Sequence, residues 1–167
     1  SNNTIYGTRY AAPPVTEAPL VCDASSDMFA RPWPFADHAI VYAGAQKNLG
    51  PSGLALIIIR KEMLEKGCRE TIDLLDYRKQ AAQGSRLNTP PVFGVYCMGL
   101  VFEWIIEQGG LIGIANRNAE KSKIIYDAID GSGGFYRGHA QNDSRSEMNV
   151  TFRLPNEDLE KVFVTEA

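Results

Sequence analysis

The chain has 167 residues, 44% hydrophobic and 22% charged, enough for one ordinary domain with its own core. Its net charge of −3 gives no general attraction to nucleic acid or to an anionic membrane, and no run reaches the roughly 18 apolar residues of a membrane span. Three cysteines (Cys22, Cys68 and Cys97) lack metal-type spacing, so no metal is expected. Two of them sit in apolar runs and read as buried. That cysteine usage, and a polar opening without a signal pattern, point to a cytoplasmic setting.

Residues 4–7 (TIYG) read as a strand end or loop, and on local grounds Thr4 is a plain turn threonine. Residues 9–19 hold Pro13, Pro14 and Pro19 and read as a surface loop. Residues 20–23 are an apolar strand ending in Asp23. The carboxyl end of a buried strand is where open α/β sheets place their ligand chemistry. Ser25 and Ser26 either support Asp23 by hydrogen bonding or are ordinary turn serines. Two prolines within residues 28–34 leave room for a short turn at most.

The rest of the chain is arranged around the stretch HAIVYAGAQKNLGPSG, residues 38–53. Residues 39–43 and 54–59 are apolar strands, and Lys47 lies on the short connection between them. A lysine in a glycine-rich turn is most often a surface residue. On a loop between buried strands, desolvation would lower its pKa and make its amine a nucleophile for a carbonyl. Gly44, Gly50 and Gly53 permit tight turns and close backbone approach, with spacing unlike the dinucleotide or P-loop fingerprints. An aspartate on one strand and a lysine after the next is the pair that pyridoxal phosphate needs. The lysine holds the cofactor and the aspartate keeps its ring nitrogen protonated.

Residues 61–67 read as a short helix and 68–87 as a long connection containing another. Asn88-Thr89-Pro90-Pro91 then precedes a helix, where a hydroxyl and an amide suit a phosphate, although on local grounds simple capping is the better account. Residues 92–108 are apolar almost all round, and burial on more than one side is expected. Phe93, Tyr96, Phe102 and Trp104 there read as core and subunit interface. Residues 111–129 form an amphipathic helix with 116–123 on its wet face. GSGG at 131–134 is a linker, and the domain boundary is placed there. Residues 135–136 and 147–154 read as strands, and 155–164 as a helix with Asn156 as cap. His38 and His139 are isolated and read as structural or surface residues.

SNNTIYGT, CDASSDMFARP, IVYAGAQKNLGPSG and LNTPP, in that order, closely resemble the phosphoserine aminotransferase family. These are class V, fold-type I, pyridoxal-phosphate-dependent transaminases. The resemblance spans essentially the whole chain. It implies an α/β fold: residues 1–130 as the C-terminal part of a large domain with a mixed, mostly parallel sheet, and 131–167 as the start of an α+β small domain. It implies Lys47 as the catalytic residue, with Thr4, Asp23, Gln46, Lys47, Asn88 and Thr89 binding pyridoxal 5'-phosphate. Asn88 and Thr89 would reach across a homodimer with shared active sites. Asp76-Tyr77 matches the family at its position. The implied reaction is amino transfer between L-glutamate and 3-phosphohydroxypyruvate, giving O-phospho-L-serine and 2-oxoglutarate. It serves serine biosynthesis and, in many bacteria, vitamin B6 synthesis.

The chain starts inside a motif at Ser1 and ends at Ala167 with no closing element, so a segment of a longer enzyme, poorly active alone, is expected. The family's arginines and histidine for substrate and its ring-stacking residue lie outside it. Arg86, beside the Asn-Thr pair, is the one local candidate for an anion contact. Rival readings are another class V enzyme, alanine–glyoxylate aminotransferase-like or cysteine desulfurase-like, and an inactive truncated binding or dimerisation module. The desulfurase needs a mobile reactive cysteine, and no cysteine here sits in an obvious flexible loop.

Overall fold

The computed structural model describes residues 1–67 and 70–167. Cys68 lies outside the described residues. The chain opens with a two-stranded ribbon, β1 (Asn2–Asn3) and β2 (Thr8–Arg9), joined by the turn 4–7. The turn ends in a left-handed backbone, which Gly7 supplies at φ +63°. After the proline-rich loop come β3 (Val21–Asp23), β4 (Ile40–Gly44), a single helical turn α1 (Ala45–Asn48), and β5 (Ala55–Ile59).

These strands form one sheet in the order β3-β4-β5. β3 runs parallel to β4, with Asp23 opposite Tyr42. β4 runs antiparallel to β5, with Gly44 opposite Ala55. The sheet is mixed, as expected, and this portion of it holds one parallel and one antiparallel pairing. The connection from β4 to β5 carries only one helical turn, too little for a parallel crossover. The parallel pairing puts the carboxyl ends of β3 and β4 at one edge, so Asp23 and α1 meet there.

The core lies beneath that edge. Met28, Val41, Ala43, Ala45 and Leu49 are all but fully buried, and Met98 and Phe102 pack against them. Leu49 fastens the end of α1 to the core, and Asn48 Nδ2 donates to the Met28 carbonyl at 2.7 Å. Leu49→Ala is expected to destabilise the protein by roughly 2–5 kcal/mol. Urea denaturation reads this, and an unchanged midpoint would mean that α1 is held by something else.

α2 (Lys61–Glu65) and α3 (Tyr77–Ala82) come next. Asp76 caps α3, accepting from the Arg78 N–H at 3.0 Å and from the Arg78 guanidinium at 2.9 and 2.7 Å. The Arg78 hydrogen bond pulls the Asp76 carboxyl from an ordinary 3.8 to about 2. A depressed folded value gives stabilisation that is complete above the unfolded value and lost as pH falls through the folded one. The stability advantage over Asp76→Asn should therefore be constant above about pH 5 and shrink toward pH 2. A gap that stays constant across that range in acid titrations of both proteins would contradict the ion pair.

α4 (Val92–Glu107) meets α5 (Gly110–Asp130) at an 82° bend. The left-handed Gly109, at φ +89°, makes that corner. Burial of α4 on several sides is not what is seen. Gly94 and Ile105 are buried, whereas Phe93, Tyr96, Trp104 and Ile106 are exposed. One side of α4 meets the sheet and α5, and nothing among the described residues covers the other. The wet face of α5 is also narrower than its polarity implies. Asn118 and Ser122 are buried, because Asn118 Nδ2 donates to the Ala30 carbonyl at 3.1 Å and ties α5 to the core turn.

β6 (Arg137–Gly138) pairs antiparallel with β7 (Phe152–Arg153), and α6 (Glu157–Glu166) ends the chain, capped by Asn156 accepting from the Leu159 N–H at 3.0 Å. The strand expected over 147–154 is reduced to β7. Ser146 Oγ accepts the N–H groups of Met148 and Asn149 at 3.0 and 2.9 Å, turning the chain before it can pair. Phe152 stacks edge-on against Tyr136 and Phe163, a small satellite core beneath α6. Among the described residues no single helix is long and apolar enough to cross a membrane.

Candidate active site

A cleft of about 630 Å³ opens at the carboxyl edge of the sheet, lined by Thr4, Asp23, Ser25, Ser26 and Lys47 among others. Asp23 ends β3 and accepts the Ser25 N–H at 2.8 Å. Ser25 Oγ in turn accepts the Gly44 N–H at 2.9 Å, binding the turn after β3 to the end of β4. Ser25 thus supports Asp23, while Ser26 turns to Asn2, to which its Oγ bonds at 2.8 Å. Partial burial raises the Asp23 carboxyl, but hydrogen bonds from Ser25 and Tyr42 and the charge of Lys47 outweigh it, leaving it below its ordinary range. Asp23 is therefore a fixed anion at neutral pH, suited to a cationic ring N–H.

Lys47 sits on α1 and reaches back over the cleft, its Nζ donating to Thr4 Oγ1 at 2.9 Å. Thr4 is held by its own turn, where Asn3 Oδ1 accepts the N–H groups of Ile5 and Tyr6 at 3.0 and 2.9 Å. The burial expected around Lys47 is absent: its side chain is exposed.

Of the six candidate residues, Thr4, Asp23 and Lys47 come together. Gln46 is exposed and outside the cleft lining, with its amide lying over Gly44. Gly44 has an ordinary φ of −67°, while Gly53 is left-handed at +100°. Asn88 and Thr89 are exposed and outside the cleft lining, and the N-cap of α4 is Pro91, with no side-chain hydrogen bond. Helix capping is therefore not their role. Arg86 is exposed on the turn after α3 and outside the cleft lining.

His38 is buried against Trp33, with Nδ1 2.9 Å from the Pro34 carbonyl oxygen, and His139 stacks on Tyr6 at 4.5 Å. Cys22 is buried in the core and Cys97 half-buried on α4. No group of side chains that could hold a metal ion occurs among the described residues.

Sequence reading missed Tyr42. It faces the Asp23 carboxylate from the neighbouring strand, and the Asp23 charge raises its phenol above the ordinary value. The missing signal was register: only the pairing of Asp23 with Tyr42 puts the two side chains on one face.

The fold and this edge define a class. The chain belongs to the class-V aminotransferase family, whose model matches residues 2–167. It is 54% identical over 168 residues to a phosphoserine aminotransferase of Herpetosiphon aurantiacus, covering 100% of this chain and 47% of that protein. Its structure is similar to the phosphoserine aminotransferase of Bacillus circulans subsp. alkalophilus, with TM-score 0.95, 47% identity and coverage of 99% of this chain and 46% of that one. It is also similar to a phosphoserine aminotransferase of Trichomonas vaginalis with bound PLP, with TM-score 0.91, 36% identity and coverage of 98% and 47%. The chain spans about half the length of the relatives it matches. Its mixed sheet with flanking helices is the fold-type I arrangement of those neighbours.

Proposed function

We propose that the chain supplies the lysine-bearing half of a pyridoxal-phosphate-dependent phosphoserine aminotransferase. It would transfer an amino group between L-glutamate and 3-phosphohydroxypyruvate and give 2-oxoglutarate and O-phospho-L-serine. The convergence of Lys47, Asp23 and Thr4 on one cleft carries this reading, in a chain 54% identical to a protein of that name. The donor set fits the cofactor: an amine for the aldehyde, a carboxylate held ionised for the ring nitrogen, and a hydroxyl beside the amine. Pyridoxal phosphate, when bound, supplies an electron sink that stabilises negative charge at the substrate Cα.

Lys47 Nζ is the amine that holds the cofactor. As a free amine it would take the proton from Cα of the amino donor and deliver one to Cα of the amino acid formed from the oxo acid. Asp23 would keep the ring nitrogen protonated, with Ser25 and Tyr42 hydrogen bonds favouring its charged form. Thr4 Oγ1 accepts from Nζ and would help to hold the cofactor, and Gln46 would offer its amide to the phosphate. Asn88 and Thr89, exposed and without a capping role, serve the phosphate of a neighbouring subunit in a homodimer. The exposed apolar side of α4 suits such a covered interface. Residues 1–130 belong to the large domain and 131–167 open the small one, in an enzyme of the cytoplasm.

The test is a substrate comparison with the purified protein loaded with pyridoxal phosphate. Glutamate and 3-phosphohydroxypyruvate are expected to yield 2-oxoglutarate and O-phosphoserine. Turnover of alanine with glyoxylate, or sulfur release from cysteine, in place of that reaction would overturn the assignment.

A further inference from the structure

The turn that carries Thr4 is gripped from two sides. On one side, β1 is fastened to the turn after Asp23. Ser1 Oγ donates to the fully buried Asp27 at 2.6 Å, and Asn2 Nδ2 donates to the buried Ser26 Oγ at 2.8 Å. Ser26 Oγ donates its own proton to the Asn2 carbonyl at 3.0 Å. On the other side stand residues 145–149, far along the chain. Asn2 Nδ2 gives its second hydrogen to Asn149 Oδ1 at 2.7 Å, across 147 positions of sequence. The Ser146 N–H donates to the Gly7 carbonyl at 2.9 Å, and Arg9 Nε donates to the Arg145 carbonyl at 3.0 Å. The approach is close: a Cβ on Gly7 would lie 2.4 Å from the Asn149 carbonyl oxygen.

A single short link separates this grip from the chemistry, the hydrogen bond from Lys47 Nζ to Thr4 Oγ1. We infer that Asn149 is a positioning residue. Through Asn2 it sets the place of the Thr4 turn, and so of the wall against which Lys47 and the cofactor rest. It thereby links the segment beyond the 131–134 turn to the cleft. The inference rests on the pyridoxal phosphate reading above. The hydrogen bond uses Asn149 only as an acceptor, so an aspartate of the same shape can replace it, whereas an alanine leaves an Asn2 hydrogen without a partner.

The experiment compares Asn149→Ala and Asn149→Asp with the unsubstituted protein. Pyridoxal phosphate affinity is read by absorbance titration. Amide hydrogen exchange of Ile5, Tyr6 and Gly7 is read without cofactor. Asn149→Ala is expected to weaken cofactor binding by roughly tenfold and to speed exchange in the turn by a similar factor. Asn149→Asp is expected to stay within about twofold of the unsubstituted protein in both. Unchanged affinity and exchange in Asn149→Ala would overturn the inference, and so would an Asn149→Asp protein as impaired as Asn149→Ala. Should Asn149→Ala not fold, Asn149→Ser, whose shorter side chain falls out of reach of Asn2, takes its place. If the unsubstituted protein binds no pyridoxal phosphate, the functional reading fails instead, and the exchange measurement still decides the role of Asn149 in the turn.

Discussion

Lys47→Ala is expected to abolish the near-visible absorbance that pyridoxal phosphate acquires on the protein and to lower turnover by about 10²–10⁴ or more. Two losses combine. The amine proposed to hold the cofactor disappears, and so does the base proposed to move the Cα proton. The surroundings should hardly change. The Lys47 side chain is exposed and its hydrogen bond is to Thr4, while the core beneath α1 is built from Ala45 and Leu49. The variant should therefore melt close to the unsubstituted protein, separating lost chemistry from lost structure. An exogenous amine that restores part of the rate would identify the missing proton carrier. A variant that keeps its absorbance band would place the covalent bond on another lysine.

Asp23→Asn carries the second large expected effect, a fall of about 10²–10³ in kcat, the scale on which one fixed electrostatic contact acts. The substitution keeps the shape and the hydrogen bond from the Ser25 N–H but removes the charge proposed to hold the ring nitrogen protonated. The cofactor should still attach to Lys47, so binding survives while turnover falls. The unsubstituted carboxyl lies below its ordinary range despite partial burial, because Ser25, Tyr42 and Lys47 all favour the charged form. A lowered folded value keeps the charge as pH falls through the ordinary carboxylate range and loses it only below. The acid limb of the activity profile should therefore not be set by Asp23. Steady-state rates across mildly acidic pH check this. An Asp23→Asn protein with near-normal kcat would remove Asp23 from its assigned role.

Much of the cleft was legible in the sequence because its parts are local. Residues 20–23 and 39–43 read as apolar strands, and the break into AGAQKN marked where the chain turns. Asp23 then fell at a strand end and Lys47 on the connection just beyond one, where the sheet edge gathers ligand chemistry. The helix over 155–164 and its Asn156 cap were readable for the same reason, since a cap acts within one turn. What escaped was non-local. Tyr42 opposite Asp23 depends on strand register, and Asn149 against Asn2 depends on a contact across nearly the whole chain. The strand misread over 147–154 fails at Ser146, whose hydroxyl competes for two backbone N–H groups that a pattern of apolar residues does not reveal. The apolar surface of α4 signalled burial that the described residues do not supply, and Lys47 is likewise exposed.

Borohydride reduction after adding pyridoxal phosphate, then peptide mapping, tests the central claim most directly. The expected result is a near-visible band that reduction bleaches, with the cofactor's mass fixed on the peptide that carries Lys47. A reduced adduct on a different lysine, or no band under conditions where the protein is folded, would contradict it.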